Sequence, residues 1–557
     1  MNRKNTAVGQ SGDQGAGDAI GDSERDPAAI NAATRKLNDL LESVPDDPAA
    51  APHYQDATRR LAMLAAMPRI RSHRKLSQAS VAAAMGTTQS AISDLESGRV
   101  DPQLRTLQRY ARAIRRRLDF GLVDEELPTF DEGTANGLWR LVERNALSPL
   151  LTALAIEPRD GHRRYLQDIA KFVNLPPDVV HPMLASLCRM GWASSVEHDE
   201  QQAFSLVDDA AYVIGISLHH DRVAGVLVDL SSNVVPASFV TTPLNDRKRS
   251  TVVGVAVQIV DRLYHAAHGR QILGVGVSIA GVVSTGGLGQ VSFAPDLTHE
   301  TDAWRDVPLE GALQDEIWRT VDDGLRVVVE NDANALAMRA HLQNGDHSLA
   351  VILLSGAGIG MGSVIAGNII RGANFGAGEG GHTILDPDGP PCRVSFDGHR
   401  GCLETLASAK GILDKLDINV PLGELSVGLS IANDRARKLD QSAIDAFSDA
   451  AAALGRFVSM VVAILDPSRI LFYAHRELAE ERDCWPLGEL FRKTVDRNLR
   501  IGLPKEGRLA QTQVDWQVLD GEVTAAGAGA GALREFLQRP VDWRPSVLPS
   551  RTGSVSA

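Results

Sequence analysis

A basic all-α head, a small helical module closed by a hairpin and a two-lobed α/β body are the predicted parts of this multidomain chain, and three observations predict them. Its 557 residues exceed one hydrophobic core, because single domains run to roughly 100–200 residues. Its charge is segregated. Against a formal net charge of −13, the stretch from Arg59 to Asp119 holds 13 basic and 4 acidic residues, so it is +9 and the remainder is −22. Its texture changes after Tyr212 from apolar residues at helical spacing to β-branched runs alternating with helical stretches, the mark of an α/β layer structure.

Residues 1–57, rich in Gly, Ala, Asp, Ser and Asn, cannot bury enough apolar surface to offset chain entropy and are expected to form a disordered acidic tail, with a short helix around Ala33 to Leu41. Residues 60–121 read as closely joined helices. Leu61, Leu64 and Ala65 mark one, Val81, Ala82 and Met85 the next, and Leu104, Leu107, Ala111 and Ile114 the last. Ser77 and Thr88 are N-caps and Gly86 the turn between two of them, a helix-turn-helix. Its core would take Val81, Met85, Ile92 and Leu95. Gln78, Thr88, Gln89, Ser90 and Ser93 would face a major groove, with Arg99 on the backbone, because amides and hydroxyls on a second helix's first turns reach base edges while cations take phosphates. Within an acidic protein whose average field repels nucleic acid, the +9 segment is where double-stranded DNA would bind.

Residues 122–137 read as an acidic linker and 138–207 as a winged-helix-like module: helices over Leu147–Leu154, Leu166–Phe172 and Val179–Met190, then a wing from Trp192 to Leu206. Asp178, an acidic wing and Pro182, expected to break a backbone bond inside the last helix, make it poor for phosphate, so a connector or dimerisation role is expected. The body spans 212–537, before a loose tail, 538–557. It opens with strands Tyr212–Leu218, Val223–Val228 and Val234–Val240, a helix over Thr251–Ala267 and a strand over Leu273–Ser278. This β-β-β-α-β start is the unit of the actin and hexokinase type of two-lobed ATPase fold.

Two motifs follow. Val327 to Glu330 runs as a strand into Asn331-Asp332-Ala333-Asn334, placing polar groups at a strand's C-terminal end, where α/β folds bind ligands. An isolated Asn-Asp would be a helix cap; here Asn can also donate to, and Asp accept from, a sugar hydroxyl. Leu354 to Gly362 is a glycine-rich strand-turn-strand that lets backbone approach a ligand. It is followed by Gly376-Ala377-Gly378-Glu379, Gly381-His382 and Gly401-Cys402-Leu403-Glu404.

With Gly274-x-Gly276, Gly281, Ala294-Pro295-Asp296-Leu297, Asp466-Pro467 and the Gly527–Leu533 helix, these motifs stand in an order that resembles the ROK family of bacterial sugar repressors and sugar kinases. The head, Leu76 to Leu107, resembles the lambda-repressor and Cro (Xre) type of DNA-binding domain. The ROK resemblance implies a sugar site of Gly281, Asn331, Asp332, Glu379, His382 and Glu404, with Asp332 as the base in a kinase. It also implies that a kinase holds phosphates with an Asp-x-Gly-Gly-Thr hairpin; here the hairpin is Ser217-Leu218-His219-His220-Asp221. Ala357 stands where the kinases usually carry a hydroxyl, and Tyr473-Ala474-His475 replaces their late Gly-Gly.

The expectation is therefore a transcriptional regulator, a repressor of carbohydrate metabolism, that senses a sugar or sugar phosphate as a homodimer or tetramer without ATP or catalysis. The alternative is a ROK-type kinase phosphorylating a hexose with ATP, with a DNA-binding head attached. The resemblance implies a structural zinc at His382, Cys392 and Cys402. Asp397 falls where a middle cysteine belongs and His399 lies nearby; either a substituted site or a loop that lost its metal fits this pattern. Four scattered cysteines exclude a disulfide framework. The late apolar run Phe457–Leu465 falls short of the ~18 residues of a membrane span, and no charged-then-apolar leader opens the chain, so a cytoplasmic protein with no membrane partner, nucleoid-associated on DNA, is expected.

Overall fold

The computed structural model describes residues 71, 76–96, 104–114, 148–156, 164–198, 201–284, 289–298, 304–394, 398–501 and 511–538. The expected tail 1–57 with its short helix, the helix at Leu61 to Ala65, Arg99, the linker 122–137, Asp397 and all of 538–557 but its first residue lie outside these. The chain divides into two compact units, residues 1–124 and 125–557.

In the first unit, α1 (Gln78–Met85), α2 (Gln89–Glu96) and α3 (Leu104–Ala113) form the helix-turn-helix and its support. Ser77 caps α1, accepting from the Ser80 amide at 3.1 Å. Gly86 ends it at φ 60°, a left-handed turn that favours glycine. Thr88 Oγ1 accepts from the Ala91 amide at 3.2 Å and opens α2. Val81, Met85, Ile92 and Leu95 meet Leu107, Tyr110 and Ile114 in one core.

The second unit begins with a helix, α4 (148–155), then β1 (Arg164–Tyr165), α5 (Leu166–Val173), α6 (Pro177–Arg189), β2 (Ala193–His198) and β3 (Gln201–Leu206), with sheet order β1-β3-β2. Pro182 does not break α6, which runs through it. It removes one donor, and the flanking turns carry the helix on.

The body repeats one plan twice. The first sheet has the order β11-β7-β4-β5-β6 and the second β14-β13-β12-β15-β16. The strands are β4 (Ala211–Leu218), β5 (Arg222–Val228), β6 (Val240–Pro243), β7 (Gln271–Ile279), β11 (Val327–Asn331), β12 (Ser348–Leu354), β13 (Ile359–Ile365), β14 (Asn368–Ile369), β15 (Arg469–Ala474) and β16 (Gln513–Val518). Both sheets have a three-strand antiparallel meander followed by two parallel strands, the actin- and hexokinase-like arrangement. A small sheet, β8 (Val282–Ser284), β9 (Gln290–Phe293) and β10 (Arg305–Val307), extends the first lobe.

The third strand departs from expectation: Val234 makes only an isolated bridge to Val228, and β6 begins at Val240. Pro236 lacks a ladder donor and Ala237 sits at φ 61°, so the run Val234–Val240 cannot stay extended. In the first lobe, α7 (Arg249–Ala266) and α8 (Leu309–Thr320) cover the sheet. Between the sheets run α9 (Asp332–Asn344) and the C-terminal α14 (Gly521–Gln538), packed together. The second lobe adds α10 (Leu403–Ala407), α11 (Ala409–Lys415), α12 (Leu425–Arg437) and α13 (Gln441–Leu465). Among the described residues α13 alone is long and apolar enough to cross a membrane by length and composition. The apolar run Phe457–Leu465 is only its last third; its Ala-rich first half, with Phe447 and Leu454, fills the second lobe's core.

Candidate functional site

The structure brings Gly281, Asn331, Asp332, Glu379, His382 and Glu404 to the wall of one cavity of about 430 Å³, within the range of small-molecule sites. They come from five places. Gly281 follows β7 at φ 140°, where an added Cβ would lie 2.2 Å from the Phe293 carbonyl oxygen; only glycine fits. Asn331 ends β11 and Asp332 starts α9. Glu379 and His382 lie in the loop after β14, and Glu404 in the first turn of α10. Close approach of the lobes is built in: a Cβ on Gly362 of β13 would meet the Ala333 carbonyl oxygen at 2.2 Å.

Asn331 is a helix cap, and its amide also faces the cavity wall. Its Oδ1 accepts from the Asn334 amide at 3.1 Å, capping α9. Its Nδ2 donates to the Gly281 carbonyl at 3.0 Å, which leaves one of the two amide hydrogens for a ligand. Burial pushes the Asp332 carboxyl up to about 7, and Asp296 and Glu379 add to the rise while a hydrogen bond from the Ala333 amide opposes it. Burial likewise raises Glu404 to about 7 against the guanidinium of Arg393, 3.9 Å away. Glu379 is raised by burial against His382. Burial thus raises the pKa values of these carboxyls, which favours the protonated form that can donate as well as accept towards hydroxyl groups. Asp296, Phe293, Phe375 and Arg393 also line it. Asp296 lay within a motif quoted above, but the aromatic walls and Arg393 had no signal in their spacing.

His382, Cys392, His399 and Cys402 place one ligand atom each within 4.8 Å of one another, and Cys392 Sγ is 3.6 Å from His382 Nδ1. Two thiols and two imidazoles are a donor set that fits tetrahedral zinc after a small contraction. Among the described residues, His399 is the fourth member. Burial, and then Cys392, push the Cys402 thiol up, a state that a bound cation would reverse.

Just after β4, His219 is held neutral, its pKa lowered to about 4 by burial, and it meets Ser217 Oγ at 3.0 Å and Thr524 Oγ1 at 3.3 Å. His475, also lowered to about 4 by burial, meets Ser426 Oγ through Nδ1 at 3.2 Å. Its Nε2 lies 3.2 Å from where a Cβ on Gly356 would stand. The tip of the β4–β5 hairpin reaches the opposite lobe, with Asp221 Oδ2 3.3 Å from a Cβ built on Gly423.

In the head, Thr88, Gln89 and Ser90 are exposed on the start of α2 and Ser93 is half-buried. Gln78 differs from expectation. Its Nε2 donates to Glu96 Oε2 at 3.0 Å, turning the side chain inward. Glu96 is fully buried, takes Arg71 Nε at 2.7 Å and NH2 at 3.0 Å, and accepts from Tyr110. Charge patterning alone could not find this network, because it treats charged side chains as solvated.

Comparison with known proteins gives a consistent picture. A helix-turn-helix family model matches residues 69–120 and one described as ROK family matches residues 213–498. The glucokinase of Streptomyces coelicolor is 28% identical over 278 residues, 46% of this chain and 80% of that protein. The xylose repressor of Bacillus spizizenii is 25% identical over 266 residues, 47% of this chain and 64% of the repressor. A crystal structure described as a ROK family transcriptional regulator, a homologue of the E. coli MLC protein, superimposes with a TM-score of 0.55 at 18% identity, covering 71% of this chain and 97% of that one.

Proposed function

The chain belongs to the ROK family and carries a helix-turn-helix head, and from that premise we propose that it is a sequence-specific repressor of carbohydrate metabolism whose body binds a sugar or sugar phosphate without phosphorylating it. The observation that carries this reading is a contrast between two sets of residues in the body. The set expected to bind sugar converges on one cavity. At the positions where the family's kinases carry glycines, the half-buried imidazoles of His219 and His475 are held neutral, and a hairpin tip meets the opposite lobe. Nucleotide phosphates need backbone donors and metal in that space. Two heads in a symmetric oligomer would read half-sites about one helical turn, ~34 Å, apart, and sugar-driven lobe closure would change their spacing. The winged-helix-like module would serve as connector.

The test uses DNA selected by the full-length chain from a random library. Sugar should change the gel shift, Gln89→Ala and Ser90→Ala should weaken it roughly tenfold, as one lost base contact costs about 1–3 kcal/mol, and ATP should not be consumed with any hexose. Hexose-dependent ATP turnover in a coupled assay would instead establish the kinase, a reading that Asp332, on the cavity wall with its pKa shifted to about 7, keeps open. Unchanged binding in both variants would move DNA recognition to the winged module.

We also propose a structural zinc held by His382, Cys392, His399 and Cys402, which would fix the loop carrying His382 and Glu379. Metal analysis of the purified chain should find about one zinc per chain, and Cys402→Ser should lose it. Full retention of metal in that variant would refute the site.

A further inference from the structure

The two carboxylate-bearing walls of the cavity belong to different lobes. Asp332 follows β11 at the edge of the first sheet, and Glu379 follows the β13–β14 hairpin of the second. The ion pair of Arg371 with Glu330 crosses between them. Resting on the reading of the cavity as a sugar site, we propose that Glu330 and Arg371 are positioning residues whose interlobe pair sets the separation of Asp332 from Glu379.

Both Glu330 oxygens are committed. Oε1 accepts from the Asn331 amide at 3.0 Å and Asn334 Nδ2 at 3.2 Å, fixing the end of β11 and the first turn of α9 that bear Asn331 and Asp332. Oε2 accepts from Arg371 Nε at 3.0 Å and from NH2. With side chains only 6% and 25% exposed, the pair is shielded from the solvent screening that weakens surface ion pairs.

Arg371 is also the base of the loop that delivers Glu379. Its carbonyl accepts from the Ala377 amide at 3.2 Å, and the Gly378 carbonyl accepts from the Met361 amide at 3.1 Å. Within that loop Phe375, a cavity-lining residue, sits at φ 60°. A bulky residue holds such a conformation only when its surroundings over-determine it. Arg534 of α14 fastens the same hairpin by donating to the Gly367 carbonyl at 3.0 Å and Asn368 Oδ1 at 2.9 Å. The loop is therefore tied at its base to the other lobe and at its hairpin to the helix between the lobes.

A pair that only stabilised the fold would lower the melting temperature, yet its two partners would not be coupled in sugar affinity. The test therefore compares Glu330→Gln, Arg371→Lys and the double variant in the full-length chain. The probe is whichever of glucose, xylose, mannose and their phosphates gives the wild type its largest thermal shift. Each single variant should raise the calorimetric Kd about tenfold, and the double variant should be no worse than the weaker single, as expected for one shared interaction. Without any sugar, hydrogen exchange over residues 371–379 should quicken in both variants, with β12 and β15 unchanged. Unaltered Kd in folded variants, or penalties that multiply in the double, would overturn the proposal. If the wild type binds none of the sugars, the proposed function falls, and the sugar-free exchange experiment decides on its own whether the pair tethers the loop. Should Glu330→Gln not fold, Arg371→Lys, at the more exposed end, carries the same comparison.

Discussion

Glu96→Ala is expected to unfold the DNA-binding head while leaving the body folded. Glu96 is a fully buried carboxylate that accepts from Arg71, Gln78 and Tyr110, and so ties the segment before α1 to all three helices. Removing it strands the Arg71 guanidinium and the Tyr110 hydroxyl in the core. Breaking a buried pair in this way costs about 3–5 kcal/mol. At roughly 0.05–0.15 kcal/mol per residue, a head of some fifty residues has a stability of the same order, so the loss is not absorbed. Calorimetry of the full-length chain should show the head's transition shifted below room temperature or lost with the body's transition in place, and specific DNA binding should vanish. Glu96→Gln keeps the shape and some of the hydrogen bonds and should fall between. Wild-type affinity for DNA in Glu96→Ala would mean that the network is dispensable.

The second large effect is expected at Asp332. Its folded pKa, about 7, lies above the ordinary carboxylate value, so between about 4 and 7 the folded state holds a proton that the unfolded chain has released. Stability must then fall as pH rises through that window, by up to about 1.4 kcal/mol per pH unit from this group. Asp332→Asn removes the desolvated charge without changing shape. It should raise the melting temperature at pH 8 and have little effect at pH 4, while abolishing the sugar-dependent thermal shift at both. A variant no more stable than wild type at pH 8 would show that Asp332 carries no such cost. A retained sugar shift would remove it from the binding site.

The parts that were legible in the sequence were those with strong periodicity or backbone-specific residues. Val81, Met85, Ile92 and Leu95 form the head's core, and Gly281 and the Asn331–Asp332 junction stand at the cavity wall. What escaped was decided by partners far away in the chain. Gln78 reads as a surface amide in the sequence, because nothing local shows that Glu96, 18 residues on, is buried and turns it inward. At the end of the first meander, β-branched residues around Pro236 carry the signal of a strand that a left-handed Ala237 prevents. The spacing of the cysteines leaves both Asp397 and His399 open as members of the cluster, and only the fold brings His399 beside His382, Cys392 and Cys402. Arg371 and Glu330 are 41 residues apart, and no local rule pairs them.

Trp192, at the base of the β2–β3 hairpin, stacks on Phe536 near the end of α14 with centroids 5.8 Å apart, and the surrounding apolar cluster runs without interruption from Leu150 through the first sheet to Leu537. The hairpin module is thus not a detachable cassette. A graft of a foreign DNA-binding head has to be joined ahead of residue 148, because a junction near residue 207 would cut through a shared core and leave the C-terminal helix with its aromatic end bare, a surface prone to aggregation.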